Sequence, residues 1–386
     1  MLKIDYEKRL IKLQQRMRKE GWSGYVATRQ AITSWLLGIF VPWRTALIIP
    51  AEGNPIALIW RLDVSRIRNE SFWPYEVNSW GDKESFTQAV TNELTKYNFK
   101  NEKIALDIGS PITQQLAPGL LIASEMLDLQ QKLPLVQWVN AVPVIEELLS
   151  IKEEAEIERL RKAAEIADYG MEQASLALEP GVTENYIAGV VEKAIREKGS
   201  EWSWSTTQGT EVGSGERTGF LKGVTQPATE KIINKNELVI VDLHPMYQLY
   251  LSDLAGNFYI GNTLPKEIKK IADCWEETVE LLLKFIKPGK EINDVVNKGF
   301  SNIEKHGFSK YSMKAFGHGL GTCARIEPYI VEDNHALFKE KMVIALGTHI
   351  YVPKIGGMRL ELPVLVTKGG AEPLSKWPSK LHVKTI

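Results

Sequence analysis

A 20-residue pattern occurs twice in the second half of this chain, and it restricts the fold more than any other feature. Pro180-Gly181 opens a helix-patterned segment that closes at Gly199, and Pro288-Gly289 opens another that closes at Gly307. Asn185 matches Asn293 and Ile195 matches Ile303 in register, with five identities in the 20 positions. Each copy follows a long helical stretch, 152–178 and 265–286, and precedes a strand-rich region. The shared order of helix, Pro-Gly, helix, Gly and strands points to a duplicated half-domain. Duplication also predicts counterparts. Asp242 lies 62 residues after Pro180 and Gly347 lies 59 after Pro288, so Gly347 is the approximate mate of Asp242.

Upstream, the pattern is different. Residues 5–20 read as an amphipathic helix with Leu10, Leu13 and Met17 at helical spacing. Short apolar strands follow at 24–27, 45–49, 56–60 and 103–107, separated by helical patches, which suggests a small α/β domain. Pro143 and the charged run 152–158 mark its end, giving an N-terminal domain over 1–140 and a second over 150–386. At 386 residues, two domains are the default. The net charge of −1 gives no reason to expect a nucleic-acid or membrane surface, and the N-terminus has no signal-like apolar stretch. Cys274 and Cys323 are the only cysteines and read as reduced, packed thiols of a cytoplasmic protein.

The chemistry concentrates in three places. VIVDLHPMYQLYLSDLAGNFYIG reads as a β-hairpin with its turn around Pro245-Met246, which lets Asp242 and Asp253 converge on one divalent cation. A lone pair of aspartates is more often solvated or capping. GHGLG places His318 between glycines, where backbone and ligand can approach closely. In GGMRLELPVLVT, Glu361 stands two positions after Arg359 on one strand face, so the arginine can hold and orient the carboxylate. Trp202 and Trp204 either line a pocket or face the core from a strand.

These motifs and their spacing resemble the pita-bread peptidases: prolidase, aminopeptidase P, methionine aminopeptidase and their metal-free relative creatinase. YLSDLAGNFYIG is similar to that family's tyrosine-x-Ser-Asp-x-Thr-Arg hairpin, GHGLG to its Gly-His-Gly-x-Gly loop and MRLELPVLVT to its Arg-x-Glu strand. The intervals of 11 between the aspartates, 29 from His318 to 347 and 14 from 347 to Glu361 resemble those of prolidases. TSWLLGIF and LLSIKEEAEIERLRKAAEIAD extend the resemblance along the whole chain. It implies an α+β fold, with a small α/β creatinase-type N-terminal domain and a pita-bread domain built on a pseudo-twofold curved antiparallel sheet. It also implies a cytoplasmic homodimer acting on small, proline-containing peptides through a metal-activated water.

By the same resemblance Asp242 chelates a first metal, Asp253 and Glu361 bridge two, and His318 binds the second. His318, Arg325 and Glu361 then form the catalytic set. Three positions depart from the family. Gly347 replaces the second metal's own carboxylate, in ALGTHIYVP where the family has Glu-Pro-Gly-x-Tyr. Arg325 replaces a catalytic histidine, and Lys222 and Thr225 stand where a substrate-gating histidine is expected. The expectation is therefore one divalent ion rather than two, Mn²⁺ or Co²⁺, with an ion-free site as the alternative. His244 and His349, each two residues beyond a repeat-related position, either help rebuild the second metal site or are ordinary strand histidines. Two other readings compete with the metallopeptidase: a creatinase-like, metal-independent C–N hydrolase, and a binding protein that kept the fold without catalysis.

Overall fold

The computed structural model describes residues 1–82, 84–109, 119–201, 209–219, 227–323 and 325–386. Trp202, Trp204, Lys222 and Thr225 lie outside the described residues. The chain forms two compact units, Lys3–Leu149 and Ser150–Ile386 with Met1–Leu2.

In the first unit, helix α1 (Tyr6–Glu20) begins where the Asp5 side chain accepts from Lys8 N, and ends at Gly21, whose φ of 69° suits glycine. Its Leu10, Leu13 and Met17 are buried, as the spacing requires. The strands are β1 (Gly24–Ala27), β2 (Ala46–Pro50), β3 (Ile56–Trp60), β4 (Glu76–Trp80), β5 (Lys103–Leu106) and β6 (Gln137–Asn140). They form a mixed sheet in the order β4-β3-β2-β1-β5-β6. Helices α2 (Gln30–Leu37), α3 (Val64–Glu70), α4 (Phe86–Lys96), α5 (Ala123–Lys132) and α6 (Val142–Ser150) connect it. Just after β5, the buried Asp107 accepts from Tyr25 Oη at 2.7 Å and from Thr28 N and Arg29 N at 2.7 and 2.8 Å. A carboxylate thereby satisfies the backbone donors of the turn into α2.

The second unit repeats itself. Helices α7 (Glu154–Ala177) and α8 (Glu184–Glu197) precede strands β7 (Glu211–Ser214), β8 (Glu237–Leu243), β9 (Met246–Tyr247), β10 (Tyr250–Leu251) and β11 (Leu254–Ile260). Helices α9 (Lys266–Phe285) and α10 (Ile292–Lys305) precede β12 (Gly317–Gly319), β13 (Val343–Val352), β14 (Gly356–Thr367), β15 (Gly370–Pro373) and β16 (Leu381–Lys384). One four-stranded sheet runs β16-β11-β8-β7 and the other β12-β13-β14-β15. Pairing is antiparallel except for β16, which joins β11 in parallel.

The hydrogen bonds at the two Pro-Gly turns match one for one. Gly181 N, Glu184 N and Asn185 N donate to the carbonyls of Ile233, Lys231 and Thr229. Gly289 N, Ile292 N and Asn293 N donate to those of Phe338, Ala336 and Asn334. The acceptors step by a constant 105 residues (233 to 338, 231 to 336, 229 to 334). The same step takes Asp242 to Gly347 and His244 to His349. The pairing of these positions, inferred from sequence, thus has a backbone basis.

Candidate metal centre

The reversal of the first hairpin lies at Gln248 and Leu249, with φ of 45° and 74°, and not around Pro245-Met246. The ladder runs to Leu243↔Leu254, breaks, and resumes at Met246↔Leu251. His244-Pro245 therefore faces Ser252-Asp253 in a gap without ladder pairing, closed by Ser252 N donating to Pro245 O at 2.9 Å. Strand side chains alternate between faces, and such a break re-aims them. Asp242 sits across from Ala255 and, on its other side, from Glu211 of β7. In the second hairpin the ladder is unbroken, with Gly347↔Glu361 and His349↔Arg359.

Asp242, Asp253, His318 and Glu361 come together, all buried. Two groups of donors result, Asp242–His244–Asp253 and Asp253–His318–Glu361, each with its ligand atoms within 4.8 Å of one another. Asp253 belongs to both. His318 Nε2 stands 3.5 Å from Asp253 Oδ2, while its Nδ1 lies 3.2 Å from Gly319 O. A hydrogen bond from Nδ1 to that carbonyl leaves the Nε2 lone pair aimed at the cluster. Asp242 Oδ1, Glu361 Oε2 and His318 Nε2 are buried and carry no hydrogen bond.

Arg359 holds the carboxylates in place. Its Nη1 donates to Glu211 Oε2 at 2.9 Å, and its Nη2 lies 3.0 Å from Asp242 Oδ2 and 3.3 Å from Glu361 Oε1. The arginine two positions before Glu361 does orient it, and it reaches two further acids. Of four buried carboxylates, Glu211, Asp242 and Glu361 contact this one guanidinium, and Asp253 stands beside His244 and His318. Uncompensated buried negative charge is costly, so such a cluster binds protons or a cation.

Electrostatics carry the same message. Burial, with Asp253 beside it, raises the Glu361 carboxyl, and burial raises that of Asp242. Burial also opposes ionisation of Asp253, but His244, His318 and Arg359 hold it well below the usual carboxylate range. Burial works against charge on His244 too, yet Asp253 and Asp242 outweigh it and lift the imidazole to about 9. His318 is pushed down to about 4 by burial and by Arg325, which is half-buried. His318 is therefore neutral, the form in which an imidazole binds metal. The donor set of carboxylates and neutral imidazole fits a divalent ion.

At Gly347, an added Cβ would lie 3.4 Å from His349 Cε1 and 3.5 Å from Glu361 Oε2. The position faces the cluster, and the His349 ring fills the space a longer side chain would enter. His349 belongs to neither donor group; burial lowers its pKa to about 3, and its ring stacks on Tyr351 at 5.7 Å. Two site residues escaped the sequence reading. Glu211 carried no spacing signal. Tyr351, whose buried hydroxyl is unpartnered, falls on the strand face of Gly347 and His349, so period-two counting along ALGTHIYVP could have found it. A cavity of about 580 Å³ bordered by Lys235, Asn236, Tyr259 and Asn262 shares no residue with the cluster.

Residues 158–368 match the profile of Metallopeptidase family M24, and residues 9–149 match the Creatinase/Prolidase N-terminal domain. The chain belongs to metallopeptidase family M24. An Xaa-Pro dipeptidase of Pyrococcus furiosus is 30% identical over 263 residues, 68% of this chain and 74% of that protein. A prolidase from Thermococcus sibiricus superposes with a TM-score of 0.87 at 24% identity, covering 99% of this chain and all of that one. The dipeptidase PepE of Mycobacterium ulcerans gives 0.84 at 25%, covering 99% and 98%. The M24 chain described here is accordingly a hydrolase of the prolidase-like metallopeptidase type, with the α+β pita-bread fold that its sequence motifs implied. Among the described residues, no helix is long and apolar enough to cross a membrane.

Proposed function

We propose that this chain is an Xaa-Pro dipeptidase that uses a divalent ion, Mn²⁺ or Co²⁺, held by Asp242, Asp253, His318 and Glu361. The observation that carries the reading is the sharing of Asp253 by two donor groups in which Asp242 Oδ1, His318 Nε2 and Glu361 Oε2 are buried without a hydrogen bond. A bound ion would supply an acidified water and a Lewis acid for the scissile carbonyl. The chain's own residues do the rest. Arg359 fixes Glu361 through Oε1 and leaves Oε2 unpartnered, the oxygen that would hold the ion. His318, held by Gly319 O, keeps a fixed orientation. The Arg325 guanidinium serves as a cation for the carbonyl oxygen or for the carboxylate of a dipeptide. We place the protein in the cytoplasm as a homodimer, which its free Cys274 and Cys323 and its family resemblance support.

The test is hydrolysis of Xaa-Pro dipeptides by chelator-stripped protein, with and without added Mn²⁺ or Co²⁺, coupled to elemental analysis. Metal-dependent turnover that falls roughly a hundredfold or more in Asp253→Asn is expected, since the ion supplies several kcal/mol of transition-state stabilisation. Turnover without metal, or none with it, would refute the reading.

A further inference from the structure

His244 is the one member of the two donor groups that the family resemblance did not supply. Its backbone lies in the gap between β8 and β9, followed at once by Pro245, and its side chain is buried. Nε2 stands 3.3 Å from Asp253 Oδ1 and 3.7 Å from Asp242 Oδ1. Charge-assisted hydrogen bonds are shorter, about 2.7–2.9 Å. Two donors on one divalent ion, each bonded at about 2.0–2.2 Å, stand roughly 3.0–3.6 Å apart. The spacing of His318 Nε2 from Asp253 Oδ2, 3.5 Å, is of the same kind. Asp242 Oδ1 is buried and makes no hydrogen bond, and Asp253 Oδ1 has His244 Nε2 beside it. The repeat-related His349 differs. It joins neither donor group and packs on Tyr351.

We propose that His244, giving up its proton as the ion enters, binds through Nε2 the ion held by Asp242 and Asp253, so that the first repeat supplies an imidazole to a centre whose second repeat lacks a carboxylate at Gly347. This replaces the one-ion expectation with two: the centre then consists of two groups joined at Asp253, each with one imidazole and two carboxylates. Nitrogen donors favour cobalt, nickel and zinc over magnesium and manganese, so this exchange shifts metal preference within the divalent series. The proposal rests on the metal-dependent reading above and extends it to a ligand of this chain's own.

The test titrates chelator-stripped full-length protein with Co²⁺ by calorimetry and examines the loaded protein by X-ray absorption. Wild type is expected to show one imidazole per cobalt at two equivalents. In His244→Ala, one equivalent is expected to bind at least tenfold more weakly, with the imidazole scattering halved, while His349→Ala keeps the wild-type shell. Unchanged binding and scattering in His244→Ala, or the loss appearing in His349→Ala instead, overturns the assignment. Should His244→Ala fail to fold, the wild-type spectrum still decides: half an imidazole per cobalt overturns it. Wild type that binds Co²⁺ and cleaves Xaa-Pro dipeptides, with His244→Ala indistinguishable, sinks this proposal alone. Wild type that takes up no ion sinks both.

Discussion

The two repeats of the M24 unit share a backbone scheme and have diverged in their side chains. Helix α8 begins with Glu184 and α10 with Ile292, and both donate their N–H to equivalent carbonyls. Yet Glu184 is a buried acid that accepts from Ser214, Arg217 and Thr229, while Ile292 packs in the core. The first hairpin breaks its ladder and gathers Asp242, His244 and Asp253; the second stays continuous and offers Glu361 opposite a glycine. Hydrogen bonds of the main chain depend little on sequence, so they survive drift. Ligand sets depend on single residues and do not.

Substitutions can break this comparison at several levels. The largest effect is expected from Arg359→Met, which leaves Glu211, Asp242 and Glu361 buried without their common partner. Metal-free protein should lose about 3–5 kcal/mol in urea unfolding, with little recovered by Arg359→Lys, whose ammonium lacks the planar fork. An unmoved midpoint would mean that the cluster is neutralised another way. Next comes Glu184→Ile, which imposes the second repeat's residue on the first. Stranded donors at Ser214 and Thr229 should cost about 3 kcal/mol. A neutral result would show that the acid is a relic rather than a brace.

Gly347→Glu brings a carboxylate to the position the family resemblance assigns to one, but against the His349 ring. About 1–3 kcal/mol of destabilisation is expected, with a coupling of about 1 kcal/mol or more to His349→Gly in a double-mutant cycle. Simple additivity would separate the two positions. The smallest effect concerns Cys274, which occupies in α9 the place that Ile166 holds in α7. Burial pushes its thiol up to about 12 from an ordinary value near 9. A raised folded value means a contribution to stability that is complete below the unfolded pKa and fades as pH climbs from about 9 to 12. At neutral pH a thiol reagent should label the half-buried Cys323 and reach Cys274 only on unfolding; equal rates would contradict this packing.

Much of this was legible in the chain itself. Asp242, Asp253, His318 and Glu361 could be singled out because hard-ligand residue types recur at fixed intervals, and Gly347 because duplication left a place for it. The turn of the first hairpin was not legible. Gln248 and Leu249 are poor candidates for positive φ, and local propensity favours the proline nearby. Tertiary bonds override it: Leu249 N donates to Glu201 Oε2 at 2.8 Å, and Tyr250 Oη to Glu156 Oε1 at 3.0 Å. Misplacing the turn hid the ladder gap, and with it the reason His244 and Asp253 meet. Glu211 was invisible for a related reason, since its role depends on which strand lies beside it.

One small feature has a large geometric reach. Asn257 of β11 donates from Nδ2 to Arg359 O at 2.7 Å and accepts at Oδ1 from Arg359 N at 2.9 Å. A single amide thus imitates one rung of strand pairing between sheets that share no ladder there. It works as a vernier: both bonds close at one alignment, and sliding by a residue would open both. The distance between Asp253 and Glu361, on which any shared ion depends, is gauged by an uncharged side chain bonded to the backbone of Arg359.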